Sequence, residues 1–488
     1  MRILEIILLL IVSVLPFIKR PLLRKVPSVF LLAIVAVVFL LHLLLDGWRW
    51  QMIPAYLIIL FLSLRISRID AKSGLRLEGW RLLGYIVLVP LVVFAWMLPS
   101  LLPVFTLPVP SGGYAVGTTE IYEQYEYPEL ITKEPDDKRV LLYKIWYPSQ
   151  AAMGAVDCET YIDQGSRAGF ATKYGLPPNA LHYLDYVDTH VYRDIPVAQG
   201  KFPVLLFSHG YGSKATGYYA ILSEIASHGY IIVNMNHTYE SLGVTFPDGS
   251  IVGFDYQYQQ SITGDFMGIM GPVVEAFKNG LSFSERHPLI VKAAKQYMEG
   301  EIQDRWVKDM VLTIDQLAQW NSSGRFQGKL DLGKIGAFGH SVGGGAVGSL
   351  AMTDKRVRAA ANLDGIQWRG KIDSLYHLPY LYLSADWPAE HEDINAHIYH
   401  KKSTDYFYKA KLLQSGHADF MDIPLMIPVP ALTGGGAINP YEGTEIVTTL
   451  LTTFFDKHLG KKTDRQPVEV ARQYDLLEMD VYLNEVKQ

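Results

Sequence analysis

Ser341 lies in Gly339-His340-Ser341-Val342-Gly343, a G-x-S-x-G run. The apolar segment Ile335–Gly339 precedes it, and Gly344, Gly345 and further small residues follow. A serine hydroxyl becomes a useful nucleophile only when a base takes its proton. A sharp turn from strand to helix gives it room to react: the hydroxyl is lifted clear of the sheet, and the first amides of the helix point at the developing oxyanion. The partners of such a serine follow in the order acid, then histidine. Asp364 stands in Ala361-Asn362-Leu363-Asp364-Gly365, just past an apolar run, and His417 stands in Ser415-Gly416-His417-Ala418-Asp419-Phe420, ahead of the helical pattern Gly443–Leu459. In these roles His417 takes the serine proton, while Asp364 orients the imidazole and stabilises its charged form. Asp386, after the next apolar run, is the rival acid. Asp419 and Asp422 are too near His417 in sequence. His377, His391, His397 and His400 fall in a polar stretch without a glycine turn.

An oxyanion needs two N–H donors. Val342, directly after the nucleophile, supplies one. Tyr211 in Phe207-Ser208-His209-Gly210-Tyr211-Gly212 is the expected second, because small residues there let the backbone approach the substrate carbonyl.

These residues need a sheet to hold them. Tyr114–Tyr122 and Val140–Tyr147 alternate as half-buried strands do, whereas Pro203–Ser208, Tyr230–Asn236, Ile335–Gly339, Ala359–Leu363 and Tyr380–Ser384 are short continuous apolar runs suited to a buried parallel sheet. Helical patterns at Tyr218–His228 and Asp304–Trp320 separate some of them. The alternation predicts a doubly wound, mostly parallel α/β sheet over residues 109–488. Residues 254–303 break the alternation and are expected to form a cap insertion.

The quoted motifs, together with Ala226-Ser227-His228-Gly229-Tyr230, resemble those of the plasma-type platelet-activating-factor acetylhydrolases and their bacterial relatives, over roughly residues 113–460. The resemblance implies an α/β-hydrolase fold, with the acid at Asp364 and the second oxyanion amide at Tyr211. It also implies calcium-independent hydrolysis of esters with short or oxidised acyl chains, phospholipid sn-2 esters among them, without cofactor or metal. Polyester hydrolases and cutinases are more distant, since their acid follows the later strand. The sequence departs from the family in its cap region and in four apolar segments before the domain.

Those segments, Ile3–Ile18, Val26–Leu45, Met52–Leu64 and Leu82–Phe105, account for a mean hydropathy of +0.11. Residues 1–108 read as a transmembrane anchor of about four helices, making this a multi-pass integral membrane protein. Lys19, Arg20, Arg24 and Lys25 follow the first segment, and Arg65, Arg68, Lys72, Arg76 and Arg81 follow the third, while the second link holds only Arg49. The positive-inside rule puts the first and third links in the cytoplasm and the large domain outside. Glu5 is the sole acid within the segments, which favours an anchor over a conduit.

The net charge of −5, with no basic stripe, argues against a nucleic-acid partner. The single cysteine, Cys158, excludes an internal disulfide, and Glu390, His391, Glu392 and Asp393 read as a solvated loop rather than a metal site. The expected partners are a membrane and a small-molecule or lipid ester, the oligomeric state staying open. Two other readings remain: acyl transfer by the same residues, and a catalytically silent membrane protein that binds a ligand or signals.

Overall fold

Apolar sequence away from water satisfies its backbone within helices or closed barrels, and the described apolar segments of the first hundred residues are helical. In the computed structural model the described residues are 1–23, 25–67, 78–134, 136–150, 158–177, 179–369, 376–387, 394–395, 397, 405–460, 464–483 and 486–487. The chain divides into two units. One comprises residues 1–106, 179–187 and 426–429; the other comprises 107–178, 188–425 and 430–488.

The first unit contains α1 (Ile3–Val14), α2 (Ser28–Leu41), α3 (Ile53–Ser67) and α4 (Glu78–Leu101). Three helical stretches, Ser28–Asp46, Trp50–Ser67 and Gly84–Leu101, are long and apolar enough to cross a membrane, and Ile3–Phe17 is shorter. Of the about four helices expected, three among the described residues thus have the length and composition to span. Pro16 cannot donate a helical hydrogen bond, and the chain tightens into a 3-10 turn at Leu15–Phe17. Helix α4 continues through Pro90 and Pro99 and stops before Pro103.

Several polar groups in the unit are paired, although the buried Gln51 side-chain amide has no hydrogen-bond partner among the described residues. Both carboxylate oxygens of Glu5 accept from the Arg49 guanidinium at 2.7 Å, and neither side chain is exposed. Arg49 also donates to the Leu102 carbonyl at 2.8 Å. Trp96 Nε1 donates to Ser13 Oγ, and Arg65 donates to the Pro16 and Ile18 carbonyls. These bonds tie the start of α1 to the α2–α3 link and to the end of α4, and its end to the end of α3. Of the cationic link residues, Arg24, Arg68, Lys72 and Arg76 lie outside the described residues.

The second unit is built on a sheet. Its strands are β1 (Ala115–Pro128), β2 (Lys138–Ser149), β3 (Val191–Arg193), β4 (Phe202–Ser208), β5 (Ile231–His237), β8 (Leu330–His340), β9 (Val357–Leu363), β10 (Tyr380–Ser384), β11 (Tyr406–Leu412), β12 (Leu477–Leu483) and β13 (Val486–Lys487); β6 (Gly243–Thr245) and β7 (Ile251–Gly253) form a separate hairpin. The described order is β13-β12-β11-β10-β9-β8-β4-β5-β2-β1-β3. From β5 to β11 all neighbours are parallel, and antiparallel pairs flank them at β2/β5, β1/β2, β11/β12 and β12/β13. Strands β4, β5 and β10 are buried at every residue, as a sheet covered on both faces requires. The covering helices include α5 (Tyr219–Ser227), α8 (Glu299–Ser322), α9 (Val342–Thr353) and α10 (Pro440–His458).

Residues 256–296 fold as helices Tyr256–Ile262, α6 (Phe266–Lys278) and α7 (Phe283–Gln296). Met270, Val273, Phe277, Ile290, Ala293, Ala294 and Trp368 form a small apolar cluster there, apart from the main core. A helix at Pro467–Gln473 and strands β12 and β13 follow α10.

The connections fix where a ligand binds. The chain steps from β4 to β5 on one side, then returns through α6–α8 to β8 on the other side of β4. The carboxyl ends of β4 and β8 thus flank the point where strand order reverses, the crevice in which open α/β sheets take ligands.

Candidate active site

Ser341 follows β8 at that crevice with φ 57° and ψ −126°, a backbone conformation costly for any residue but glycine. Its N–H is held by the Leu363 carbonyl at 3.0 Å. The flanking glycines are forced by contact: a Cβ on Gly339 would lie 2.6 Å from Gly343 backbone, and one on Gly343 would lie 2.2 Å from the Ser208 carbonyl oxygen. The G-x-S-x-G spacing is thus the spacing at which β8, α9 and the end of β4 can touch.

Asp364 ends β9, the neighbour of β8, with φ 52°. One of its oxygens lies 2.6 Å from His417 Nδ1, and the other accepts from the Ala385 N–H and from Trp387 Nε1, each at 2.9 Å. The carboxylate is 1% exposed and the imidazole 40%. With Nδ1 committed to the acid, Nε2 is the nitrogen left for proton transfer, so the ring is sealed on one edge and open on the other. Asp386 has a different use: Asp386 accepts from the Gln414 N–H at 2.9 Å, and its own N–H donates to the Ser415 carbonyl, bracing the loop that carries His417. Asp419 accepts from the Gly416 and Gly436 amides, and burial raises its pKa.

Val342 opens α9, so its N–H has no acceptor within the helix. Tyr211 follows Gly210, whose Cβ position would lie 3.4 Å from the Ser341 Cβ. Both expected oxyanion amides therefore belong to segments that meet at Ser341.

Two further residues join these parts, and sequence reasoning did not single them out. A carbonyl can only accept, so the 3.0 Å contact between His340 Nε2 and the His417 carbonyl places a proton on Nε2. His340 Nδ1 then accepts from the Tyr218 hydroxyl at 2.9 Å, and that oxygen accepts from the Gly210 N–H at 3.0 Å. Burial keeps His340 neutral, its pKa well below the ordinary value. The chain of bonds couples the Gly210–Tyr211 loop to the backbone of His417. His340 is visible in the motif, but nothing in the sequence places it beside His417. Of the competing histidines, His377 is described away from this site, lining an open groove with Lys355 and Lys457. His397 stacks on Phe283 at 3.9 Å. His391 and His400 lie outside the described residues, as do Glu390, Glu392 and Asp393.

Comparison with known proteins adds a family. The sequence profile described as "Platelet-activating factor acetylhydrolase, isoform II" matches residues 104–250 and 294–475, and its gap coincides with the helices at 256–296. The platelet-activating factor acetylhydrolase of Cavia porcellus is 23% identical over 380 residues, covering 73% of this chain and 78% of that protein. A probable 1-alkyl-2-acetylglycerophosphocholine esterase of Arthroderma benhamiae is 28% identical over 172 residues, 35% of this chain and 33% of that one. Among solved structures, a ferulic acid esterase from Streptomyces cinnamoneus superposes with a TM-score of 0.58 at 21% identity, covering 77% of this chain and 99% of its own, and so shares the fold. On these matches the chain is a carboxylic ester hydrolase and belongs to the platelet-activating factor acetylhydrolase, isoform II, family.

Proposed function

We propose that the chain cleaves lipid-like esters through an acyl-enzyme, with Ser341 as nucleophile, His417 as base and Asp364 as its orienting acid. The observation carrying this reading is the 2.6 Å Asp364–His417 bond beside a serine held in a strained turn. His417 Nε2 removes the Ser341 proton as the oxygen attacks the ester carbonyl. The resulting oxyanion is stabilised by the Val342 and Tyr211 amides. The imidazolium, steadied by Asp364, returns its proton to the leaving alcohol. Water, deprotonated by His417, then attacks the acyl-serine and releases the acid, restoring Ser341. His417 hands the proton taken from that water to Ser341 Oγ as the acid leaves, so the two proton transfers balance.

The proposed substrates are esters with short or oxidised acyl chains, such as phospholipid sn-2 esters. Two observations support them: the names of the relatives, and three helices able to hold the enzyme at a lipid surface. The proposed location is a membrane, with the hydrolase unit on the extracytoplasmic side.

A fluorophosphonate probe tests the chemistry. Wild type should label at one site and Ser341→Ala should not label, while both retain the same circular dichroism. A folded wild type that fails to label removes the reading. An ester series of graded acyl length then tests the substrate class, with turnover expected to fall as an unoxidised chain lengthens.

A further inference from the structure

Beneath the oxyanion loop lies a second serine–histidine–aspartate alignment. Ser208 Oγ is 2.9 Å from His237 Nε2, and His237 Nδ1 is 2.7 Å from Asp309 Oδ2. None of the three opens to solvent: Ser208 and His237 are 0% exposed and Asp309 is 1%. No ester reaches Ser208, so this is not a second catalytic centre. Its position suggests a different job.

The protons in this network can be placed. Asp309 is paired with Arg139 through two bonds, at 3.0 and 2.6 Å. Burial pushes its carboxyl up, but Arg139 and the His237 bond outweigh that and hold it ionised. An ionised Asp309 can only accept, so His237 carries its proton on Nδ1, and its Nε2 accepts from the Ser208 hydroxyl. His237 also lies flat on Trp306, ring centroids 3.9 Å apart and planes 6° off parallel. The His237 backbone N–H donates to His209 Nε2 at 3.3 Å. His209 must therefore carry its proton on Nδ1, which lies 2.8 Å from the Gly210 carbonyl oxygen. Burial keeps both imidazoles neutral, His209 well below its ordinary value.

The Gly210 carbonyl also accepts from the Ser213 N–H at 3.0 Å. In a trans peptide the carbonyl and the following N–H point in opposite directions. Pinning the Gly210 oxygen inward thus turns the Tyr211 N–H the other way, and among the described residues that N–H donates to nothing. We infer that His209, held in its Nδ1–H form by the His237 backbone N–H at its Nε2, is a positioning residue that pre-aims the Tyr211 amide for the oxyanion. This rests on Ser341 being the nucleophile of a hydrolase, as proposed above.

The test compares amide mimics of the two imidazole nitrogens in the full-length protein. In His209→Asn the side-chain amide stands near the place of Nδ1; in His209→Gln it stands near that of Nε2. His209→Leu has neither. With p-nitrophenyl acetate, His209→Leu should lower kcat by about tenfold to a hundredfold, less than the roughly 10²- to 10³-fold cost of removing an oxyanion donor outright, and leave KM within about threefold. His209→Asn should recover most of the loss and His209→Gln little. The pH profile of kcat/KM, set by His417, should not move in any variant. Phenylboronic acid, which forms a tetrahedral adduct on the serine, should bind more weakly in parallel with kcat. Should the leucine variant not fold, the Asn–Gln pair decides: equal activity, or a better glutamine variant, overturns the inference. An unchanged kcat in a folded His209→Leu overturns it as well. If wild type itself neither labels with fluorophosphonate nor turns over the ester, the hydrolase reading fails first and takes this one with it.

Discussion

Asp364 and Asp386 end adjacent parallel strands, and from the sequence either suits the acid. Their surroundings separate them. Asp364 is sealed from water and its three partners all donate to it, His417 among them; Asp386 is exposed and binds only the backbone of the histidine's loop. Asp364→Asn should therefore cost about 10³- to 10⁴-fold in kcat, because an amide in its place can hold the imidazole in the wrong tautomer. Asp386→Asn should cost less than about tenfold. Steady-state kinetics on one short-chain ester checks the pair, and the opposite ranking would move the acid to the later strand. The proposed site residues could be picked out in the sequence because a nucleophile turn constrains type, spacing and order at once. Tyr218 and the His237–Asp309 pair were not legible, since their roles arise from hydrogen bonds between residues distant in the chain.

At the scale of elements, the join between β4, β8 and α9 tolerates no side chain. Gly343→Ala puts a Cβ 2.2 Å from the Ser208 oxygen and 2.5 Å from the His209 oxygen, both backbone atoms. Relief must come by lifting α9, which carries the Val342 amide. The variant should lose about 1–3 kcal/mol of stability and much of its activity, read by thermal melting and esterase assay. Helix α5 offers a pH test. Its first amides, Tyr219 and Ala220, donate to Asp422 of the loop after His417, and burial raises that carboxyl's pKa to about 7. Between its unfolded value and pH 7 the folded protein binds a proton that the unfolded chain releases, so this stability is full at low pH and is lost as pH rises to 7. Wild type should therefore lose more melting temperature than Asp422→Asn as pH is raised from 5 to 8; parallel curves would refute the shifted group. The central strands were readable as continuous apolar runs. Strand β11, with Lys409 and Lys411 turned outward, and β12, with Glu478 and Asp480, were missed because edge-side strands carry charge that masks their period.

For the whole molecule, the proposed membrane location raises the question of which side each link would occupy. Helix α1 with its 3-10 turn spans Ile3–Phe17, about 22 Å at 1.5 Å per residue, short of the ~30 Å hydrocarbon core. Its two ends are nevertheless bonded to different links: Glu5 to Arg49 between α2 and α3, and the Pro16 and Ile18 carbonyls to Arg65 at the end of α3. These bonds set the start of α1 at the Arg49 link and its end, just before the basic residues Lys19 and Arg20, at the end of α3. Single cysteines in a Cys158→Ser background can read this out. A membrane-impermeant maleimide applied to intact right-side-out vesicles should label Trp48→Cys and Asp475→Cys, and should reach Lys19→Cys only after permeabilisation. Labelling of Lys19→Cys in sealed vesicles, with Asp475→Cys protected, would invert the protein and place the hydrolase unit in the cytoplasm. Labelling of all three would mean that α1 and its neighbours do not carry the chain across at all.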